Sequence, residues 1–144
     1  MNYITFTNKG SLELCKNMLI SARNVGIEKD ITVYTLDEFS NNELSKFECE
    51  LKPFKSTVDD NYHSYGSIEF KSLMTAKIKI ILEELESRDS FVYTDCDVVF
   101  KHNPEEVFKI ALKMSKGQRI SLRKFMNCQH LQSRTGIQIV ATKS

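Results

Sequence analysis

Apolar positions along the chain change their period several times, and each change marks an element. Ile4 and Phe6 lie in a short β-prone run that gives way to the turn formers Asn8-Lys9-Gly10. Beyond it Leu14, Cys15, Met18, Leu19, Ala22 and Val25 fall on one face of an amphipathic helix, with Ser11 placed to cap it and Gly26 to end it. Ile31 to Leu36 is a second β-branched and aromatic run. Asp37 directly after it is suited to cap a short helix through Leu44 and Phe47. Cys49 to Phe54 reads as a third strand, weakened by Pro53.

From Ser56 to Gly66 the chain is polar and turn-rich, which predicts a loop. Ser67 then opens the longest helix, to about Ser87, with Phe70, Leu73, Met74, Ile78, Ile81 and Leu85 as its apolar side. Phe91 to Thr94 runs straight into Asp95-Cys96-Asp97 and on to Val98-Val99-Phe100, the length and content of a central strand buried on both faces. Pro104 starts a further helix, Arg119 to Phe125 gives a strand, and Ile137 to Thr142 gives the last. Strands alternating with helices predict an α/β fold, a Rossmann-like three-layer sheet built as a single domain over residues 1–144. The last strand reaches Ser144 with no closing helix. The expectation is a sheet truncated at its C-terminus, with an open apolar edge that favours self-association.

Composition narrows the function by exclusion. With 144 residues, 41% of them hydrophobic, the chain can bury a sizeable core but has no room for two independent domains. A formal charge of +1 gives no overall excess that would point to nucleic acid or a membrane surface. Cys15, Cys49, Cys96 and Cys128 form no close pair of the zinc or redox kind, and read as small buried residues in a reducing compartment. The N-terminus has no secretory pattern and no stretch approaches a membrane span, so a cytoplasmic protein is expected.

Chemistry concentrates at Asp95 and Asp97. In an extended chain these alternate residues share a face while Cys96 turns to the core, so two carboxylates are held close together. At the end of a buried strand such a pair repels itself unless a cation sits against it. Oxygen ligands alone suit Mg²⁺ or Mn²⁺, which complete their shell with phosphates and water. Phe70, Met74, Lys77 and Ile81 share a helical stripe, so the Lys77 ammonium starts from an apolar side and needs an acidic partner or an escape to water; Asp95 or a diphosphate is such a partner. Glu84 lies on the same stripe. His63, His102 and His130 are isolated from other potential ligands. After Glu106 the chain has only basic charges, Lys109 to Lys143, which read as a solvated face.

Val92-Tyr93-Thr94-Asp95-Cys96-Asp97-Val98-Val99-Phe100, followed by Asn103-Pro104, resembles the DxD segment of the nucleotide-diphospho-sugar transferases, which have the A-type glycosyltransferase fold. Phe6-Thr7-Asn8-Lys9-Gly10 with Asn17, Tyr34-Thr35-Leu36-Asp37, and Thr135-Gly136 are similar to other strand ends of that family. The chain departs from the pattern at Ser11, where an aromatic is usual, and at Arg134. The resemblance implies a transferase moving a sugar from a nucleotide-diphosphate-sugar donor to a glycan or other hydroxyl acceptor. It implies a divalent metal on Asp95 and Asp97, and donor contacts from Thr7, Asn8, Asp37, Lys77, Asp95, Thr135 and Gly136. A third metal ligand, a histidine, would come from a C-terminal half lying beyond this chain.

Two other readings stand beside it. A truncated domain would bind nucleotide without transferring sugar. Asp95-Cys96-Asp97-Val98-Val99 also resembles the nucleophile strand of haloacid-dehalogenase-type phosphohydrolases, with Asp95 attacking phosphorus and Asp97 as general acid. Those enzymes need acidic Mg²⁺ ligands further on, and no acidic residue follows Glu106.

Overall fold

Strand β1 (Tyr3–Thr7) divides its side chains between two cores, and the fold is arranged around that division. The computed structural model describes residues 1–55, 68–114 and 137–141. Around β1 lie β2 (Ile31–Thr35), β3 (Glu50–Pro53), β4 (Ser90–Thr94) and β5 (Ile137–Ala141), in the order β3-β2-β1-β4-β5. The first four run parallel and β5 is antiparallel to β4. Helices α1 (Leu12–Asn24), α2 (Glu38–Leu44), α3 (Ile68–Ser87) and α4 (Glu105–Met114) cover the sheet. A parallel sheet needs helices on both faces, and the two clusters show them. Tyr3, Val33 and Val92 pack with Leu12, Met18 and Leu19 of α1, Leu44 of α2 and Phe108 of α4. Ile4, Tyr34, Phe91 and Tyr93 pack on the other face with Ile80 of α3. This is the expected Rossmann-like three-layer α/β fold.

Local chemistry sets the element ends. Gly26 takes φ 79°, which a side chain disfavours. Its N–H donates to Arg23 O and that of Ile27 to Ala22 O, so the last carbonyls of α1 are satisfied by a left-handed cap. Asp37 caps α2 through the Ser40 N–H, as its place after β2 predicts. Helix α2 stops at Leu44 and does not reach Phe47.

The expected start of α1 is corrected. Ser11 makes no side-chain cap bond to α1; a 3₁₀ turn over Lys9–Ser11 intervenes, and Asn8 caps it one turn earlier. Asn8 accepts from the Ser11 N–H, and the Ser11 hydroxyl accepts from the Asn8 N–H. The apolar faces of two helices are corrected too. Leu14 is 43% exposed, and on α3 Ile78 is 59% exposed while Ala76, Ile80 and Glu84 are buried.

Glu84 is buried because β2, β3 and the residue just past α3 supply donors for it. Tyr34 Oη, Lys52 Nζ and Arg88 Nε donate to its carboxylate at 2.6, 2.7 and 2.6 Å. Burial opposes its ionisation, and these three donors outweigh burial, so its carboxyl is held below the ordinary carboxylate value. The predicted loop over Ser56 to Gly66 and the predicted strand over Arg119 to Phe125 lie outside the described residues. Among those residues, no helix is long and apolar enough to cross a membrane.

Candidate donor site at the strand ends

Ligands of open α/β sheets bind beyond the carboxyl ends of the parallel strands. Here β1, β2 and β4 end in Thr7, Thr35 and Thr94, all buried, with Thr7 and Thr35 in register. The short segments that follow each strand make up the candidate site.

After β1, Thr7 Oγ1 lies 3.0 Å from Ser11 Oγ, and Asn8 is 4% exposed within its capping box. After β2, the Asp37 carboxylate faces two ways. One oxygen accepts from the Ser40 N–H at 2.7 Å; the other accepts from the Lys9 N–H at 2.8 Å and the Ser40 hydroxyl at 2.9 Å. Asp37 thus ties the turn after β1 to the start of α2, and most of its acceptor capacity serves that tie. Lys9 Nζ rests 5.3 Å from the centre of the Phe39 ring, itself 51% exposed on the first turn of α2.

After β4, the expected geometry of the acidic pair is corrected. The strand stops at Thr94, and Cys96-Asp97 form a turn, so strict alternation does not set the direction of Asp97. Among the described residues no ladder partner holds the chain beyond Thr94. Instead the Phe100 N–H donates to Ser21 Oγ at 3.0 Å, which draws the segment back across α1. Asp95 and Cys96 part toward opposite layers. Lys77 Nζ of α3 donates to Asp95 Oδ1 at 2.9 Å, while Cys96 packs against the α1 core. Burial pushes the Cys96 thiol up to about 11, with the Ser11 hydroxyl beside it working the other way and the charges of Asp97 and Asp95 adding to the rise. The Asp95-Cys96-Asp97 turn therefore lies next to the Thr7–Ser11 turn, and the ends of β1 and β4 share one site.

The Lys77 side chain is 15% exposed, that of Asp95 is 40% exposed, and Asp97 is open to solvent. Lys77 Nζ also lies 4.3 Å from the centre of the Tyr93 ring, whose phenol burial, and then the Asp95 charge, hold well above its ordinary pKa. Lys77 thus finds the acidic partner that its place on an apolar stripe required. Among the described residues no group of three or more His, Cys, Asp or Glu side chains gathers as a ligand cluster. Two carboxylates at an open strand end still suit Mg²⁺ or Mn²⁺, which are commonly held by one or two carboxylates and substrate phosphates. Thr135 and Gly136 lie outside the described residues.

The sequence model of the nucleotide-diphospho-sugar transferase family matches residues 27–131. The chain belongs to this family. Membership makes it a sugar transferase in general class and implies a nucleotide-sugar donor. The matched span contains Asp37, Lys77, Asp95 and Asp97; Thr7 and Asn8 precede it, and Thr135 and Gly136 follow it. A search of curated proteins returned no match.

Contacts of Ser11, Lys9 and Phe39 at this transferase's strand ends are not legible in the sequence. Ser11 links Thr7 and Asn8 and stands beside Cys96, and Lys9 and Phe39 meet across two strand ends; neither arrangement leaves a spacing signal. Tyr93 was accessible in principle, because it stands two residues before Asp95 and so shares its side of the sheet.

Proposed function

We propose that this chain transfers a sugar from a nucleotide-diphosphate-sugar donor to a hydroxyl acceptor, with Mn²⁺ or Mg²⁺ held by Asp95, Asp97 and the donor diphosphate. The observation that carries this reading is the Lys77 ammonium bonded to Asp95 at the carboxyl end of β4: the site already draws positive charge where a diphosphate would lie. When bound, the cation neutralises charge developing on the departing nucleoside diphosphate. Asp95 and Asp97 hold it. Thr7, Asn8 and Asp37 line the nucleoside side, where the Asp37 tie to the Lys9 N–H fixes the spacing of two strand ends before the donor arrives. Thr135 and Gly136 complete the proposed donor contacts, and Lys77 supplies a second positive group for the diphosphate.

Calorimetry with UDP and GDP, each with Mn²⁺, with Mg²⁺ and with excess chelator, tests the reading. Nucleotide binding should need the metal, and Asp97→Asn should weaken it by about tenfold or more, equivalent to about 1.4 kcal/mol. Equal affinity in chelator, or an unchanged affinity in the Asn variant, would remove the metal from the proposal.

A further inference from the structure

Lys77 is held on two sides by the chain's own groups. Its ammonium donates to Asp95 Oδ1 at 2.9 Å and sits 4.3 Å from the Tyr93 ring centre, and only 15% of the side chain is exposed. Asp95 is also a proposed metal ligand. An oxygen engaged by an ammonium at hydrogen-bond distance cannot give its full charge to a metal as well, and a divalent ion beside it would repel that ammonium. Metal entry and the Lys77–Asp95 pair therefore compete.

We propose that Lys77 is the resident counter-ion of the Asp95 site, which the metal must displace and which the donor diphosphate then takes over as its own partner. This rests on the metal-dependent donor reading above and deepens it. Metal alone is disfavoured, because it must break the pair and leave a poorly exposed ammonium beside a dication. Metal with diphosphate is favoured, because the displaced ammonium gains phosphate oxygens. The pair thus couples the two ligands: each binds better when the other is present, and by linkage the coupling is reciprocal. Tyr93 gives the exchange a signal, since the chain holds five tyrosines and no tryptophan, and one of those rings loses its cation when Lys77 leaves.

The test titrates Mn²⁺ calorimetrically into wild type, Lys77→Met, Lys77→Arg and Asp97→Asn, each with and without UDP. Lys77→Met should bind Mn²⁺ alone about tenfold or more tighter than wild type, the order set by losing one charge-assisted hydrogen bond from Asp95. Lys77→Arg, which keeps the charge, should show no such gain. The strengthening of Mn²⁺ binding by UDP should be smaller in Lys77→Met than in wild type. In wild type, Mg²⁺ with UDP should also change the tyrosine difference absorption relative to UDP alone, and Tyr93→Phe should remove that change. Should Lys77→Met not fold, the absorption pair decides by itself. Mn²⁺ binding that is no tighter in Lys77→Met, while Asp97→Asn still abolishes it, overturns this inference and leaves the metal reading standing. A tyrosine signal that is absent, or that survives in Tyr93→Phe, overturns it as well. No Mn²⁺ binding by wild type even with UDP and GDP overturns both.

Discussion

Replacing Glu84 by Gln keeps the shape of the side chain and removes its charge. Glu84 is 1% exposed and accepts from Tyr34, Lys52 and Arg88. In the variant one amide oxygen still serves two donors, but the amide nitrogen meets a donor it cannot accept from. Truncating one partner of a buried ion pair costs about 3–5 kcal/mol when the remaining charge is stranded. Here the cations are not stranded, since Lys52 is 33% and Arg88 25% exposed, and water meets part of their demand. A loss of about 2 kcal/mol follows, the middle of the range for hydrogen bonds to charged groups. For a domain of this size that lowers Tm by about 4–8 °C. The effect carries a pH signature. The folded carboxyl is held below its ordinary value, so the stabilisation is complete above about pH 4.3 and fades as pH falls through the lower folded value. Thermal unfolding followed by circular dichroism should therefore show a clear gap between the proteins at pH 7 that narrows by pH 3. A Tm within about 1 °C of wild type at pH 7, or a gap that stays constant down to pH 3, would refute the reasoning.

Asp37→Ala removes a helix cap, worth about 1 kcal/mol, and the tie to the Lys9 N–H, and should cost about 2–3 kcal/mol in urea denaturation; a loss of about 1 kcal/mol, the cap alone, would show that the tie contributes nothing. Gly26→Ala meets no atom within 4 Å but holds φ 79°, so the cost should be conformational, about 1 kcal/mol, and an equally stable variant would contradict it. Cys96, with its thiol raised to about 11, should resist iodoacetamide at pH 8 when sites are read by mass spectrometry; rapid labelling would show a thiol that is open and acidic instead.

Most of the architecture is legible in the chain because each element carries its own punctuation. Asp37 after β2 and Gly26 after α1 act through local backbone geometry, and the structure uses both as the sequence implies. What is not legible depends on other elements. Helix α3 carries apolar residues on more than one side, so periodicity nominates Ile78; the buried side is instead the one where Tyr34, Lys52 and Arg88 meet Glu84. Ser11 looks like a cap, but the 3₁₀ turn moves that duty to Asn8. The apolar residues after Asp97 suggest a strand running on, yet extended chain persists only while a neighbour pairs with it, and the Ser21 hydroxyl captures Phe100 instead. At the site, the location of the acidic pair was readable, and its geometry was not.

The strand order also has a consequence for the time at which this protein becomes competent during synthesis. Tyr3 meets Ile31 on one side and Val92 on the other, so one edge of β1 can pair soon after it emerges, while the second waits until β4 has been made. Closing the longer loop is also the slower step, because the ends must find one another across more chain. Until then a nascent chain exposes the edge of a strand whose Tyr3 and Ile4 are fully buried in the finished fold, a surface prone to pairing with the wrong neighbour. Asp95 and Asp97 follow β4 directly, so the carboxylates arrive with the strand that closes this gap.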